Sequence, residues 1–357
     1  MNNPLISVIA PVYKVENFLE RCLDAMRAQR FTDYELILVN DGSPDRSGEI
    51  CDRYAKLDER FIVIHQQNSG VGVARNAAFD AARADLIAYI DTDDNLSPDY
   101  LSNLYDAQQL NDADMVISRF HRLSDIDPDR DVVTAPRGEL FITHDQIADA
   151  LIDLCDDTRI YTLWAKLFKR ELLIGLRYKT DVMIGGDTVL MGEMLERAQS
   201  MQLTDAADYY YCERQSGSIT SQINPKLYQG YLYVHQQFCQ SIEKAGFMSD
   251  ALKLILNQRL GRYATRAIHS IRRGNWTVGE QCKYVDDVLG CQPFLDAIAA
   301  VNAQQPNPEY ALILKKDAAA LLNFYEKRSQ KNALAKQFPW LIKLLGGIKH
   351  LIKGGTA

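Results

Sequence analysis

The stretch Leu86-Ile87-Ala88-Tyr89-Ile90-Asp91-Thr92-Asp93-Asp94 decides how the rest of the chain is read. Five largely apolar residues run straight into a cluster of carboxylates. A short, continuous apolar run predicts a strand buried on both faces, as in a parallel sheet. The acids then fall just past the strand's C-terminal end, where open α/β sheets bind ligands. Three acids within four residues repel one another unless a cation sits among them. Hard divalent ions prefer oxygen ligands, and Mg²⁺ commonly uses one or two carboxylates plus substrate phosphates. The stretch therefore predicts an Asp-x-Asp grip on a metal–diphosphate. An EF-hand loop counted from Asp91 would need Gly and Glu where Leu96 and Ser102 stand, so that reading is excluded.

Outward from this stretch, strand and helix patterns alternate. Leu5 to Ala10 reads as a buried strand closed by Pro11, and Phe18, Leu19, Cys22, Leu23 and Met26 follow at helical spacing. Tyr34 to Val39 reads as a second strand ending in the turn cluster Asn40-Asp41-Gly42-Ser43-Pro44-Asp45. A helix to Leu57, a strand at Phe61 to Ile64, and a helix opened by Asn68-Ser69-Gly70 come next. Ser97-Pro98 starts another helix after the central strand. Such alternation predicts an α/β domain, a mostly parallel sheet with helices on both faces. The first strand–helix junction, Pro11-Val12-Tyr13-Lys14, has no glycine, and Gly70-x-Gly72 is too short and too late for a dinucleotide fingerprint. Backbone amides are then not the phosphate cradle, and a metal must neutralise the phosphates. A hydrolase using Asp91 as nucleophile also fits an Asp-x-Asp after an apolar strand. Asn95 stands where such enzymes carry Thr or Val.

The chain has 357 residues, enough for two or three domains. A formal charge of −7 and a pI near 5.5 argue against nucleic acid as a partner. The seven cysteines are scattered and form no Cys-x-x-Cys, so neither a disulfide framework nor a zinc site is expected. Met1-Asn2-Asn3-Pro4 carries no basic leader region, and no apolar run reaches transmembrane length. A cytoplasmic location is the expectation.

Four ordered blocks together resemble the signature of family 2 glycosyltransferases. They are Pro11-Val12-Tyr13, Asp41-Gly42-Ser43, Asn68-x-Gly70 with Ala74-Arg75-Asn76, and Asp91-Thr92-Asp93-Asp94. The resemblance covers about residues 5–221. It implies the GT-A fold (a Rossmann-like nucleotide-diphospho-sugar transferase sheet), a nucleotide-sugar donor, Mn²⁺ or Mg²⁺, and inversion at the anomeric carbon. On matching positions it implies that Asp41 accepts a hydrogen bond from a uracil ring, and that Pro11, Tyr13 and Glu16 line the base and ribose pocket. Arg75 would approach the diphosphate or order the Asp-x-Asp loop. Asp91 and Thr92 would lie at the ribose and metal-bound water, and Asp93, with Asp91, would hold the metal.

Further blocks extend the likeness. Tyr161 to Phe168 resembles the family's Asn-Lys-Leu-Tyr block, with Ala165 in place of Asn. Lys166 and Trp164 are its acceptor-binding candidates; Trp164 either stacks on an acceptor sugar or belongs to the core. Gly185-Gly186-Asp187 sits where the family carries Gly-Glu-Asp. Asp187 matches the general base, a carboxylate able to take the proton of an otherwise poor hydroxyl nucleophile. Gly186 replaces the Glu that contacts the acceptor. Tyr209-Tyr210-Tyr211 with Arg214 and Ser218-Ile219-Thr220 resembles a block that closes over the donor, where Arg214 would serve as a fork donor to the diphosphate.

The strand signals stop after about Asn224. Leu227 to Ala245, Ala251 to Ile271, Val278 to Leu289 and Tyr310 to Tyr325 show helical periodicity. The expected organisation is a GT-A domain over 1–221, a helical C-terminal domain over 222–330, and a basic amphipathic tail over 331–357. The tail carries Lys331, Lys336, Lys343, Lys349 and Lys353 with no acid after Glu326. Residues 331–353 suit a helix lying on an anionic membrane surface, consistent with a lipid-linked or glycan acceptor. The expected activity is transfer from a UDP-sugar to a hydroxyl during cell-surface polysaccharide synthesis. A non-catalytic scaffold with the same fold is the alternative beside the hydrolase.

Overall fold

The computed structural model describes residues 3–124, 132–134, 137–180, 184–213, 226–270 and 276–337. Its strands are β1 (Ile6–Val12), β2 (Tyr34–Asp41), β3 (Phe61–Gln66), β4 (Leu86–Tyr89), β5 (Asn95–Leu96) and β6 (Met115–Ile117). They continue as β7 (Phe120–Ser124), β8 (Val132–Val133), β9 (Leu140–Thr143), β10 (Lys166–Lys169), β11 (Ser200–Leu203) and β12 (Tyr209–Glu213). The helices are α1 (Glu16–Arg27), α2 (Ser47–Leu57), α3 (Val71–Ala81), α4 (Tyr100–Asn111), α5 (Ile147–Asp156) and α6 (Gly186–Leu195). Beyond these lie α7 (Leu227–Lys244), α8 (Asp250–Ser270), α9 (Val278–Leu289), α10 (Gln292–Gln304), α11 (Pro308–Leu314) and α12 (Ala318–Gln337).

The large sheet runs β3-β2-β1-β4-β10-β6-β11-β9. Strands β3, β2, β1 and β4 are parallel in unbroken register, with Ile9 opposite both Ile37 and Tyr89. Apolar residues fill these strands because both faces are covered. Ile9, Ile37, Val39, Ile87 and Tyr89 point to a core shared with Ala74 and Ala78 of α3 and with Leu151 of α5. Val8, Leu36, Leu38 and Ala88 point to the other core, with Leu19 and Leu23 of α1, Ile50 of α2 and Leu104 of α4. Truncating one such side chain, Ile87→Ala for example, costs about 2–5 kcal/mol in transfer and cavity terms.

One element departs from the periodicity reading. Lys166-Leu167-Phe168-Lys169 is β10, inserted antiparallel between β4 and β6. The block that resembles the family's Asn-Lys-Leu-Tyr is thus a central strand, and its residues alternate between the two cores: Leu167 to one, Phe168 to the other. A small second sheet, β5-β12-β7-β8, joins the residues just after Asp94 to Tyr209 and Tyr210 of β12.

The chain forms two compact units, residues 1–256 and 257–357. In the first, α7 packs along α6 and brings Phe238 and Ile242 into the core that holds Met191 and Met194. In the second, the structure adds α10, which the periodicity reading passes over, and splits the expected helix at Tyr310 to Tyr325. Pro293 sits in the first turn of α10. Lys316, in the left-handed region at φ 53°, ends the turn after α11. No helix among the described residues is long and apolar enough to cross a membrane. Residues 338–357, most of the basic tail, lie outside the described residues.

Candidate active site

The C-terminal ends of β1, β2 and β4 form one edge, and the loops that leave it are tied together by side chains. After β1, the amides of Val15 and Glu16 donate to Ser47 Oγ (3.1 Å) and Asp45 Oδ2 (3.2 Å) in the turn after β2. Glu16 returns the contact, accepting from the Arg46 amide at 3.0 Å. Pro11 is partly buried, and Tyr13 stands 43% exposed with Lys14 Nζ 5.1 Å from its ring centre. Asp41, the last residue of β2, is buried and accepts from Gln66 Nε2 (2.7 Å), the Ser69 amide (2.8 Å) and the Gly70 amide (2.8 Å). Gly42 follows at φ +63°, and a Cβ there would meet the Asn68 amide nitrogen at 2.6 Å. Glycine is required at this turn.

The acidic loop leaves β4 as a tight turn, the Asp94 amide donating to Asp91 O at 3.1 Å. Each of its residues has a different anchor. Thr92 is buried and its hydroxyl donates to Pro11 O at 2.8 Å, joining this loop to the one after β1. Asp94 is buried and accepts from Tyr209 Oη (2.7 Å) and the Cys212 amide (2.8 Å) of β12. The Asp91 amide donates to the same Tyr209 oxygen at 3.1 Å. Asp93 is half-buried, and its carbonyl accepts from Arg21 at 3.3 Å. Burial pushes the Asp91 carboxyl up to about 6, against the pull of Arg75 and with the push of Asp187 and Asp93. Burial, Asp91 and Asp93 also hold Asp94 well above the usual carboxylate range. This is a loop with surplus negative charge.

Arg75 of α3 is the cation beneath it. Its guanidinium is buried, with Nη2 2.9 Å from Asp91 Oδ1 and Nη1 hydrogen-bonded to both Asp187 Oδ1 and Tyr178 Oη. Asp187 lies in the first turn of α6, which Gly185 opens at φ +71°. The Tyr178 hydroxyl donates to Asp187 Oδ1 as well. Burial works to strip the Arg75 proton, but Asp187, Tyr178 and Asp91 outweigh it and raise its pKa well above the usual value. Burial, then Asp187, pushes the Tyr178 phenol well up, so the hydroxyl remains a donor.

The structure thus brings Asp91, Arg75 and Asp187 onto one guanidinium, with Pro11 and Thr92 joined beside them. Trp164 and Lys166 are both buried in the packing behind these groups. Trp164 is 6% exposed, stacked on Tyr209 and Tyr211 (centroids 4.8 and 5.3 Å) and edge-on to Phe120 (4.6 Å), which is core packing. Lys166 is fully buried in β10, Nζ donating to Thr162 Oγ1 (2.9 Å) and Trp164 O (3.2 Å). Burial lowers its pKa to about 7 against the pull of Asp187. Arg214 lies outside the described residues. Sequence reading missed Tyr178, and it named Tyr209 without the bonds that Tyr209 and the Cys212 amide make to the acidic loop; these pairs are more than 100 positions apart, except Tyr178 and Asp187. The unusual Gly186 was the available hint for Tyr178. Among the described residues, no group of three or more His, Cys, Asp or Glu side chains forms a metal cage.

The sequence profile of Glycosyl transferase family 2 matches residues 7–177. The uncharacterized glycosyltransferase EpsJ of Bacillus subtilis (strain 168) is 36% identical over 214 residues, 59% of this chain and 61% of that protein. The poly(ribitol-phosphate) beta-glucosyltransferase of Bacillus spizizenii is 29% identical over 219 residues, 59% of this chain and 33% of that protein. The chain therefore spans less than two thirds of either relative's length. Residues 1–349 of S. aureus TarS in complex with UDP-GlcNAc superpose with a TM-score of 0.65 over 92% of each chain at 18% identity, a shared α/β fold with a helical C-terminal part.

Proposed function

Since residues 7–177 belong to glycosyltransferase family 2, we propose that the chain is an inverting transferase that moves a sugar from a UDP-sugar to a hydroxyl, on a glycan or lipid-linked acceptor, in cell-surface polysaccharide synthesis. The observation that carries this reading is the Arg75 bridge. One buried guanidinium holds Asp91, on the donor loop, and Asp187, the candidate base, in fixed relation. A displacement at the anomeric carbon needs this relation: leaving group on one side, proton acceptor on the other.

Uracil and ribose would occupy the edge lined by Pro11, Tyr13, Glu16 and Asp41. Asp41 already accepts three hydrogen bonds, and a carboxylate has about four acceptor positions, leaving one for the uracil N–H. Asp93 and Asp91 suit Mg²⁺ or Mn²⁺, since such ions accept one or two carboxylates and take the remaining oxygens from substrate phosphate. When bound, the ion supplies neutralisation of the leaving diphosphate. Asp187 gives Oδ1 to Arg75 and Tyr178, so Oδ2 is the oxygen that takes the acceptor proton. Arg214 would reach the diphosphate from the segment after β12, and residues 331–353 would dock the chain on the inner membrane face. The poly(ribitol-phosphate) in the name of the Bacillus spizizenii relative supports the acceptor class.

Calorimetric titration of UDP, with Mn²⁺ and with chelator, tests the donor site on wild type and Asp93→Ala. Metal-dependent binding that the variant loses is the expected result. No UDP binding under either condition would contradict the uridine assignment.

A further inference from the structure

The departure at Gly186 has a physical counterpart 8 positions earlier in the chain. A Cβ on Gly186 would lie 2.5 Å from Tyr178 Cζ and 2.7 Å from its oxygen. Such approaches do not occur between real Cβ atoms and their neighbours, so any side chain here must expel the ring. Gly72, in the first turn of α3, is under the same constraint: its Cβ would meet Tyr178 Cδ1 at 2.6 Å. Two glycines from different helices leave one slot, and a phenol fills it.

The ring is not free to move aside. Asn76 pins the backbone of Tyr178 on both sides, accepting from its amide at 2.9 Å and donating to its carbonyl at 3.1 Å. At the tip, the hydroxyl accepts from Arg75 at 2.9 Å and donates to Asp187 Oδ1. The guanidinium carbon sits 5.2 Å from the ring centre. The phenol is 7% exposed and every polar valence is used. Arg75 alone could pivot between two carboxylates, whereas Arg75 plus a fixed hydroxyl defines one orientation for Asp187.

We propose that Tyr178 is a positioning residue for Asp187, seated by Gly72 and Gly186, and that its phenol fills the space a side chain at position 186 would otherwise take. The inference rests on the base reading of Asp187.

The test combines a melting cycle with kinetics. Gly186→Ala, Tyr178→Ala and the double variant are compared by thermal denaturation. UDP release from UDP-glucose and from UDP-N-acetylglucosamine is measured for wild type and Tyr178→Phe. Gly186→Ala is expected to lower the melting temperature by at least about 3 °C in wild type and to add almost nothing once Tyr178 is Ala. Tyr178→Phe is expected to lower kcat about tenfold with the donor KM within about twofold, because a hydroxyl aimed at the base acts after donor binding. Equal cost of Gly186→Ala in both backgrounds would overturn the seating. An unchanged kcat, or a loss confined to KM, would overturn the positioning role. If wild type binds UDP but Tyr178→Phe does not, the tyrosine belongs to donor binding and the proposal fails. A wild type that neither binds UDP nor turns over a UDP-sugar faults the base reading itself and removes the positioning role with it, while the melting cycle still decides the seating.

Discussion

Arg75 and Lys166 are both buried in the first unit, and they are solved differently. Arg75 lies between Asp91 and Asp187 with a tyrosine hydroxyl beside it, and its charge is secure. Lys166 lies in the middle of the large sheet with neutral oxygens as hydrogen-bond partners, and burial brings its pKa down to about 7. Burial is the largest influence on both groups. Charge partners decide the outcome: carboxylates at contact distance outweigh desolvation, whereas a hydroxyl and a carbonyl do not. A site that must hold several carboxylates needs the first solution. A strand that packs a long side chain between two cores tolerates the second.

The comparison breaks most visibly at Arg75. Arg75→Met would leave two partly buried carboxylates facing each other without a counter-charge, at a cost of up to about 3–5 kcal/mol. Thermal denaturation should show a large drop, and UDP-sugar turnover should vanish. Arg75→Lys should not restore turnover, because one ammonium cannot reproduce a fork that serves three oxygens. Stability within experimental error of wild type would show that the bridge is incidental.

Lys166→Met tests the second solution through pH. The folded pKa is lowered below the ordinary lysine value, so the unfolded chain binds more protons between pH 7 and 10.5 and wild-type stability rises with pH there. Methionine carries no such dependence. The variant should be the more stable at pH 7, and its advantage should shrink by about 2 kcal/mol by pH 9. A gap that stays constant with pH would mean that Lys166 does not titrate in this range.

Asp94 gives the smallest effect. It is a buried carboxylate with no cation at contact among the described residues, held by Tyr209 and the Cys212 amide. Asp94→Asn keeps its shape and one acceptor oxygen, and should cost about 1 kcal/mol for the misplaced amide group. Asp94→Ala removes both bonds and should cost more, and UDP affinity should fall as the loop loses its anchor to β12. Equal stability of the two variants would show that the anchor is not used.

Much of the edge formed by the ends of β1, β2 and β4 was legible because it is local. A run such as Leu86 to Ile90 followed by acids, or Asn40 to Asp45 after a strand, carries its own signal of strand end and turn, and parallel alternation then places those ends on one edge. What escaped is non-local. Arg75 finds Tyr178 across 103 positions and Asp94 finds Tyr209 across 115; no periodicity encodes such pairs. Lys166 misled for a related reason: its block reads as a loop followed by a short apolar stretch, and nothing in it says that the stretch enters the sheet antiparallel between β4 and β6. In the second unit, α10 is a mixed-polarity run after Gly290-Cys291-Gln292-Pro293, where a proline that starts a helix resembles one that breaks it.

In the proposed reaction Asp187 is the proton acceptor on one side of the Arg75 bridge. The direct test is UDP-sugar turnover by Asp187→Asn alongside its UDP affinity in Mn²⁺. The expected result is a loss of turnover of at least about 10³-fold with the UDP Kd within about twofold of wild type. Turnover within tenfold of wild type in a variant that still binds UDP would contradict it.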